Sequence, residues 1–249
     1  MTWGIVVPAK PGAEPPPPEK RPTIPAWSYS RLSKWEACPA SAYYAFILKM
    51  APEPSPQMQR GIAMHEDAAR VLTGKQIDLA KTHLSMPWIK RLQNTHSTYG
   101  NDIEVELQAA FNAAWEPTKW FGRDAWVRIV FDAFITQAGT ETVHIQEHKS
   151  GKPRAEHTAQ SALYAAGAFS LFPDALTYEV TINYLDLNPE SPGGIVRHSF
   201  SRKTAEALVK RWAERAKPMM EDTEYPPKPG KHCSWCDYSK SKGGPCTAG

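Results

Sequence analysis

Residues Ala125–Lys149 read AWVRIVFDAFITQAGTETVHIQEHK, and their patterning decides the fold. Val127, Ile129, Phe131, Ala133 and Ile135 alternate with Val130, Asp132 and Phe134, so the first arm is a strand apolar on both faces and therefore central. Gln137–Thr140 is polar and contains Gly139, which predicts a turn. The chain then returns with Val143, Ile145, Glu147 and Lys149 on one face and His144, Gln146 and His148 on the other. Pairing the arms around Gly139 sets Asp132 roughly opposite Glu147. Two carboxylates and an ammonium thus occupy positions where the pattern calls for apolar side chains. Burying each unpaired costs several kcal/mol, roughly. Two readings meet that cost: a solvated ion-pair face, or a divalent metal held by Asp132 and Glu147 with Lys149 alongside.

The 249 residues suffice for one large domain or two small ones, and 41% hydrophobic content with nine tryptophans can build a core. A net charge of +3 is only mildly basic, so a nucleic acid would have to meet a local patch. No apolar run approaches the ~20 residues that span a bilayer, which argues against a membrane partner. The opening MTWGIVVPAKPG is too short in apolar residues for a signal peptide. A cytoplasmic, reducing setting is the expectation, and there four cysteines act as ligands or free thiols. No G-x-x-x-x-G-K-[ST] loop is present, which excludes an ATPase motor in this chain.

Residues 1–26 hold eight prolines and predict an extended tail, with one domain over 27–249. Within that domain a helical lobe (27–100) precedes a core (101–217) and a cysteine-bearing segment (218–249). Ser28 and Ser30 cap a helix through Leu32, Trp35 and Cys38, and Pro39 opens a second over Ala40–Met50. A third, Gln57–Leu72, closes at Gly74 and is expected to turn Ile62, His65, Ala69 and Leu72 inward. Residues 84–97 predict a fourth helix. Val105–Phe111, Leu176–Leu185 and Ile195–Phe200 read as strands. His157–Leu171 is an alanine-rich helix with Gln160 and Tyr164 on one face, and Thr204–Lys217 is a helix ended by Pro218.

Placed on these elements, the motifs resemble the PD-(D/E)XK nuclease superfamily, and within it the RecB-like branch. Ser28-Tyr-Ser30 with Cys38-Pro39 comes first, then Gly61-Ile-Ala-Met-His65. Asp132 and Glu147-His-Lys149 follow, then Gln160-Ser-Ala-Leu-Tyr164, and Cys233-Ser-Trp-Cys236 with Cys246 closes the series. Two positions depart from the family's habit: Ile129 stands where a glycine is frequent three residues before the aspartate, and His148 where an apolar residue is frequent. His148 therefore leaves an extra contact to DNA or metal open.

The resemblance implies a restriction-endonuclease-like α/β core, a mixed central sheet flanked by helices, with a helical N-terminal lobe and a cysteine-clamped C-terminus. It implies phosphodiester hydrolysis with Mg²⁺ or Mn²⁺ held by Asp132, Glu147, the His148 carbonyl and His65. Lys149 would act on the attacking water, and Gln160 and Tyr164 would line the cleft. Cys38, Cys233, Cys236 and Cys246 match the positions of a [4Fe-4S] cluster, and a tetrahedral zinc suits the same four thiolates. The expected activity is that of a DNA exonuclease on single strands or ends. The setting would be phage or recombination metabolism, with a recombinase or single-strand-binding protein as partner. A structure-specific endonuclease and a non-catalytic DNA-end binding module are the alternatives.

Overall fold

The computed structural model describes residues 21–50 and 52–248. Most of the proline-rich stretch lies outside the described residues; its final part does not, and Ile24 and Ala26 are buried. Helix α1 spans Tyr29–Ala37 and α2 spans Pro39–Ala42, continued by a wider π-helical turn, Tyr43–Ile47. Then follow α3 (Pro56–Leu72), α4 (Met86–Tyr99), β1 (Ile103–Phe111), β2 (Pro117–Thr118), β3 (Val127–Thr136) and β4 (Thr142–Lys149). Helix α5 (Ala155–Leu171), β5 (Thr177–Tyr184), β6 (Ile195–Ser201) and α6 (Arg202–Glu221) complete the order. Packing divides the chain into two units: one from 25–29 and 53–216, the other from the described parts of 1–24, 30–52 and 217–249.

The larger unit carries one six-stranded sheet in the order β2-β1-β3-β4-β5-β6. Only β4 and β5 run parallel, because α5 carries the chain back across the sheet between them. This is the expected mixed sheet with helices. The first arm lies inside the sheet as expected, with Val127, Ile129, Phe131, Ala133 and Ile135 buried, but its second face is only partly covered: Phe134 is buried and Val130 is 40% exposed. Gly167 lets α5 lie close on the first, buried face, since a Cβ there would meet Ile129 Cδ1 at 2.6 Å and Phe131 Cζ at 3.2 Å.

Helix α3 starts where Ser55 Oγ accepts from the Met58 N–H at 3.2 Å, with Pro56 in the first turn, and ends at Gly74 with φ 72°. Its buried stripe is Met64, Ala68, Val71 and Leu72, packed with Trp88 and Leu92 of α4. The expected inward phase was therefore one residue off. Ile62 is 51% exposed, and His65 sits on the flank of the stripe. Helix α6 runs through Pro218 to Glu221 rather than stopping at it. Pro218 has no N–H to give the Glu214 carbonyl, so the helix continues past one missing backbone bond.

In the smaller unit, Trp35 Nε1 donates to Asp222 Oδ2 at 2.7 Å, and Tyr43 and Tyr44 stack on Tyr225 and Tyr238. Lys228 Nζ reaches the Glu36 carbonyl at 2.9 Å. Residues nearly two hundred positions apart thus share one small core. Among the described residues no helix is long and apolar enough to cross a membrane.

Candidate active site

The site forms where β3 and β4 separate. Their ladder runs from Thr136↔Val143 to Ala133↔Gln146, and the next step would pair Asp132 with Glu147. There the Asp132 side chain replaces the missing backbone partner: Oδ2 accepts from the His148 N–H at 2.6 Å. On its other side, Val105 pairs with Ala133 and Leu107 with Phe131, so Glu106 lies across from Asp132. Glu106 has φ 55°, a left-handed conformation that non-glycine residues adopt at a cost of ~1–3 kcal/mol. The sheet is distorted on both strands at the level of Asp132. Sequence patterning missed this, because nothing in I-E-V-E-L departs from strand alternation.

Helix α3 brings His65 to the aspartate, Nδ1 to Oδ2 at 3.4 Å. Gly61, one turn earlier, faces the end of β4, and a Cβ there would stand 3.2 Å from Ser150 Oγ. The Gly61-x-x-x-His65 spacing therefore has a steric reason. Arg60 pairs with Asp186, whose carboxylate also accepts from the Gly151 N–H at 2.7 Å. That clamp joins α3, the loop after Lys149 and the end of β5, and no sequence motif announced it.

Glu147 is 4% exposed, and protein donors engage both its oxygens. Oε1 receives Lys149 Nζ at 2.6 Å and Gln160 Nε2 at 3.3 Å; Oε2 receives the Tyr164 hydroxyl at 2.6 Å. Gln160 Nε2 also donates to the Tyr164 oxygen at 2.7 Å, as their i, i+4 spacing on α5 permits. Asp132, Glu147, Lys149, His65, His148, Gln160 and Tyr164 are thus gathered at one place. Among the described residues, however, no three His, Cys, Asp or Glu side chains already stand as a metal-binding group.

The charges bear on one another. Burial pushes the Glu147 carboxyl up to about 7, the Asp132 charge adds to this, and Lys149 and Tyr164 only partly oppose it. Asp132 is held down near 2: burial works against its charge, but the His65 hydrogen bond and the His148 side chain outweigh it. Burial pulls His65 down too, yet Asp132 raises it above the ordinary histidine value. His148 is 1% exposed and falls to about 4 through burial, and its Nε2 finds no hydrogen-bond partner. His157, unforeseen as a site neighbour, bonds the Tyr184 hydroxyl at 3.0 Å; burial, then the Lys149 charge, lowers its pKa.

In the smaller unit, Cys38, Cys233, Cys236 and Cys246 line one small cavity with Tyr44 and Tyr238. All four are free thiols. Cys38 Sγ accepts from the Lys228 N–H and Cys233 Sγ from the Gly230 N–H, each at 3.4 Å. Position 38 and the segment 233–246 thus meet around one cavity.

No curated protein matches the sequence significantly. Among solved structures, SSO0001 is similar over 92% of this chain and 90% of its own, at 17% identity and TM-score 0.47. A "putative exonuclease" from Eubacterium rectale is similar over 86% and 87%, at 12% identity and TM-score 0.48. The family model of the PD-(D/E)XK nuclease superfamily matches residues 26–241, the span that carries the sheet, the Asp132–Glu147–Lys149 site and three of the four cysteines. The chain belongs to the PD-(D/E)XK nuclease superfamily.

Proposed function

We propose that this protein is a RecB-like, Mg²⁺- or Mn²⁺-dependent deoxyribonuclease that hydrolyses phosphodiester bonds at DNA ends. The observation that carries the reading is the pair Asp132 and Glu147 gathered where β3 and β4 separate, with the Glu147 carboxyl pushed up to about 7 by burial first and by the Asp132 charge second. A divalent cation relieves that repulsion. Hard carboxylate oxygens, the His148 carbonyl and the His65 imidazole suit Mg²⁺ or Mn²⁺. When bound, such an ion activates water and polarises a phosphate. Were such an ion to take up Glu147 Oε1, Lys149 Nζ, which now holds that oxygen at 2.6 Å, would be free to orient the attacking water or hold a phosphoryl oxygen. Tyr164 and Gln160 keep the Glu147 carboxylate aimed while Lys149 moves. Asp132 is steadied by the His148 N–H and His65.

The same reading assigns Cys38, Cys233, Cys236 and Cys246 to a structural [4Fe-4S] cluster, with zinc as the other thiolate-loving occupant. Four thiols around one cavity and two backbone N–H groups directed at sulfur support it. The setting in phage or recombination metabolism, with a recombinase or single-strand-binding partner, rests on the resemblance.

Incubating the purified protein with end-labelled linear DNA and with covalently closed circles in Mg²⁺ and in Mn²⁺ tests the function. Mononucleotides or short products from linear DNA, with circles intact, are expected. Asp132→Ala, Glu147→Ala and Lys149→Ala should each abolish release. Cleavage of circles would turn the reading to an endonuclease, and binding of ends without any hydrolysis to a non-catalytic module.

A further inference from the structure

The loop between β2 and β3 carries an aromatic surface that the active site does not use. Phe121 is 86% exposed, the most exposed large hydrophobic side chain among the described residues, and Trp120 beside it is half-buried. The guanidinium of Arg128 lies 5.5 Å from the Trp120 ring centre and 5.7 Å from that of Phe121. Arg128 makes no ion pair among the described residues, and its Nε is buried without a hydrogen-bond partner. Lys119 and Arg123 are exposed on the same loop, where the one carboxylate, Asp124, accepts from Thr118 Oγ1 at 2.8 Å.

The loop is built to present these rings. The Gly122 N–H donates to the Lys119 carbonyl at 2.7 Å, and a Cβ on Gly122 would lie 2.7 Å from Asp124 Oδ1 and 2.9 Å from the Lys119 carbonyl. Only glycine fits that turn. The surface also leads somewhere. Arg128, Val130 and Asp132 alternate along one face of β3, and Val130 and its neighbour Gln108 on β1 leave the track between them open. Four residues of strand set Arg128 about 13 Å from Asp132.

We propose that Trp120, Phe121 and Arg128 form a stacking platform for unpaired bases. On it a single strand is held a few nucleotides from the catalytic carboxylates, with Lys119 and Arg123 on its phosphates. This rests on the nuclease reading above and deepens it, since it names the substrate as a strand with unstacked bases. Aromatic rings accept any base, and an arginine beside them adds cation–π attraction and charge. Three cations against one engaged carboxylate favour a polyanion over an apolar protein segment.

Binding measured in EDTA by anisotropy, with a fluorescein-labelled oligo-dT and with a closed blunt hairpin, tests this without hydrolysis. Phe121→Ala should weaken oligo-dT binding by about five- to a hundredfold, the loss of one stacked base, and leave hairpin binding within about twofold. Phe121→Tyr should restore it. Lys119→Ala should reduce the salt slope by about 0.7. Phe121 is exposed, so its truncation leaves the core intact, and an unchanged Tm checks that. Equal losses on both DNAs, or unchanged oligo-dT binding by Phe121→Ala, would overturn the platform while wild-type cleavage kept the nuclease reading. If Phe121→Ala instead dissociates a self-associated protein in sedimentation and binds DNA normally, the surface is a protein contact and the proposal falls.

Discussion

Tyr164→Phe separates what the tyrosine's ring does from what its hydroxyl does. The ring packs on Phe131, centroids 5.4 Å apart, and phenylalanine keeps that contact. The hydroxyl gives Glu147 Oε2 a 2.6 Å hydrogen bond in a buried place, and the variant loses it. A hydrogen bond to a buried charged group is worth about 1.5–3 kcal/mol. At about 1.4 kcal/mol per pKa unit, the Glu147 carboxyl should rise by roughly one to two units from its already raised value of about 7. Glu147 must be ionised to act, so the acid limb of the kcat/KM profile should move to higher pH by that amount. The movement should be largest at limiting Mn²⁺, since bound cation favours the ionised form.

Stability carries the matching sign. The folded pKa of Glu147 lies above its ordinary value of 4.5, so ionising it costs stability increasingly as pH rises from about 4.5 through 7. In EDTA, Tyr164→Phe should therefore lower Tm more at pH 8.5 than at pH 5. An acid limb that stays in place, with equal Tm losses at both pH values, would reduce Tyr164 to a packing residue and refute the argument.

Three further outcomes follow from other parts of the molecule. Gly167→Ala should destabilise by ~1–2 kcal/mol in urea, because overpacking against Ile129 and Phe131 outweighs the helix-propensity gain; a neutral or stabilising result would contradict the close approach of α5. His65→Ala should raise the Mn²⁺ concentration for half-maximal activity about tenfold or more, whereas an unchanged metal dependence with a lower Tm would make His65 a core residue. Anaerobically prepared protein should be brown, and Cys→Ala at any of the four positions should give colourless, less stable protein. Colourless protein with one zinc by elemental analysis would exchange the cluster for zinc, and stable metal-free protein would remove both.

The sequence by itself determined most of the elements and their order, apart from the short strand β2 and the π-helical turn at Tyr43–Ile47. Period-two runs at 103–111 and 127–149, and the helix stop at Gly74, are local signals that the chain obeys wherever it packs. Asp132, Glu147 and Lys149 were legible because a hairpin's register follows from its turn, and because charge on an apolar face is costly enough to need a reason. Tertiary structure decided the rest. It turned Ile62 outward and Met64 inward, since helix phase is set by what the neighbouring helix offers. It left the face of β3 open at Val130 while α3 reaches the same face at Asp132 through His65, and alternation alone cannot say which positions are covered. It chose the partners of Glu147 and the Arg60–Asp186 clamp, which join residues up to 126 positions apart, and no spacing rule reaches across such a distance.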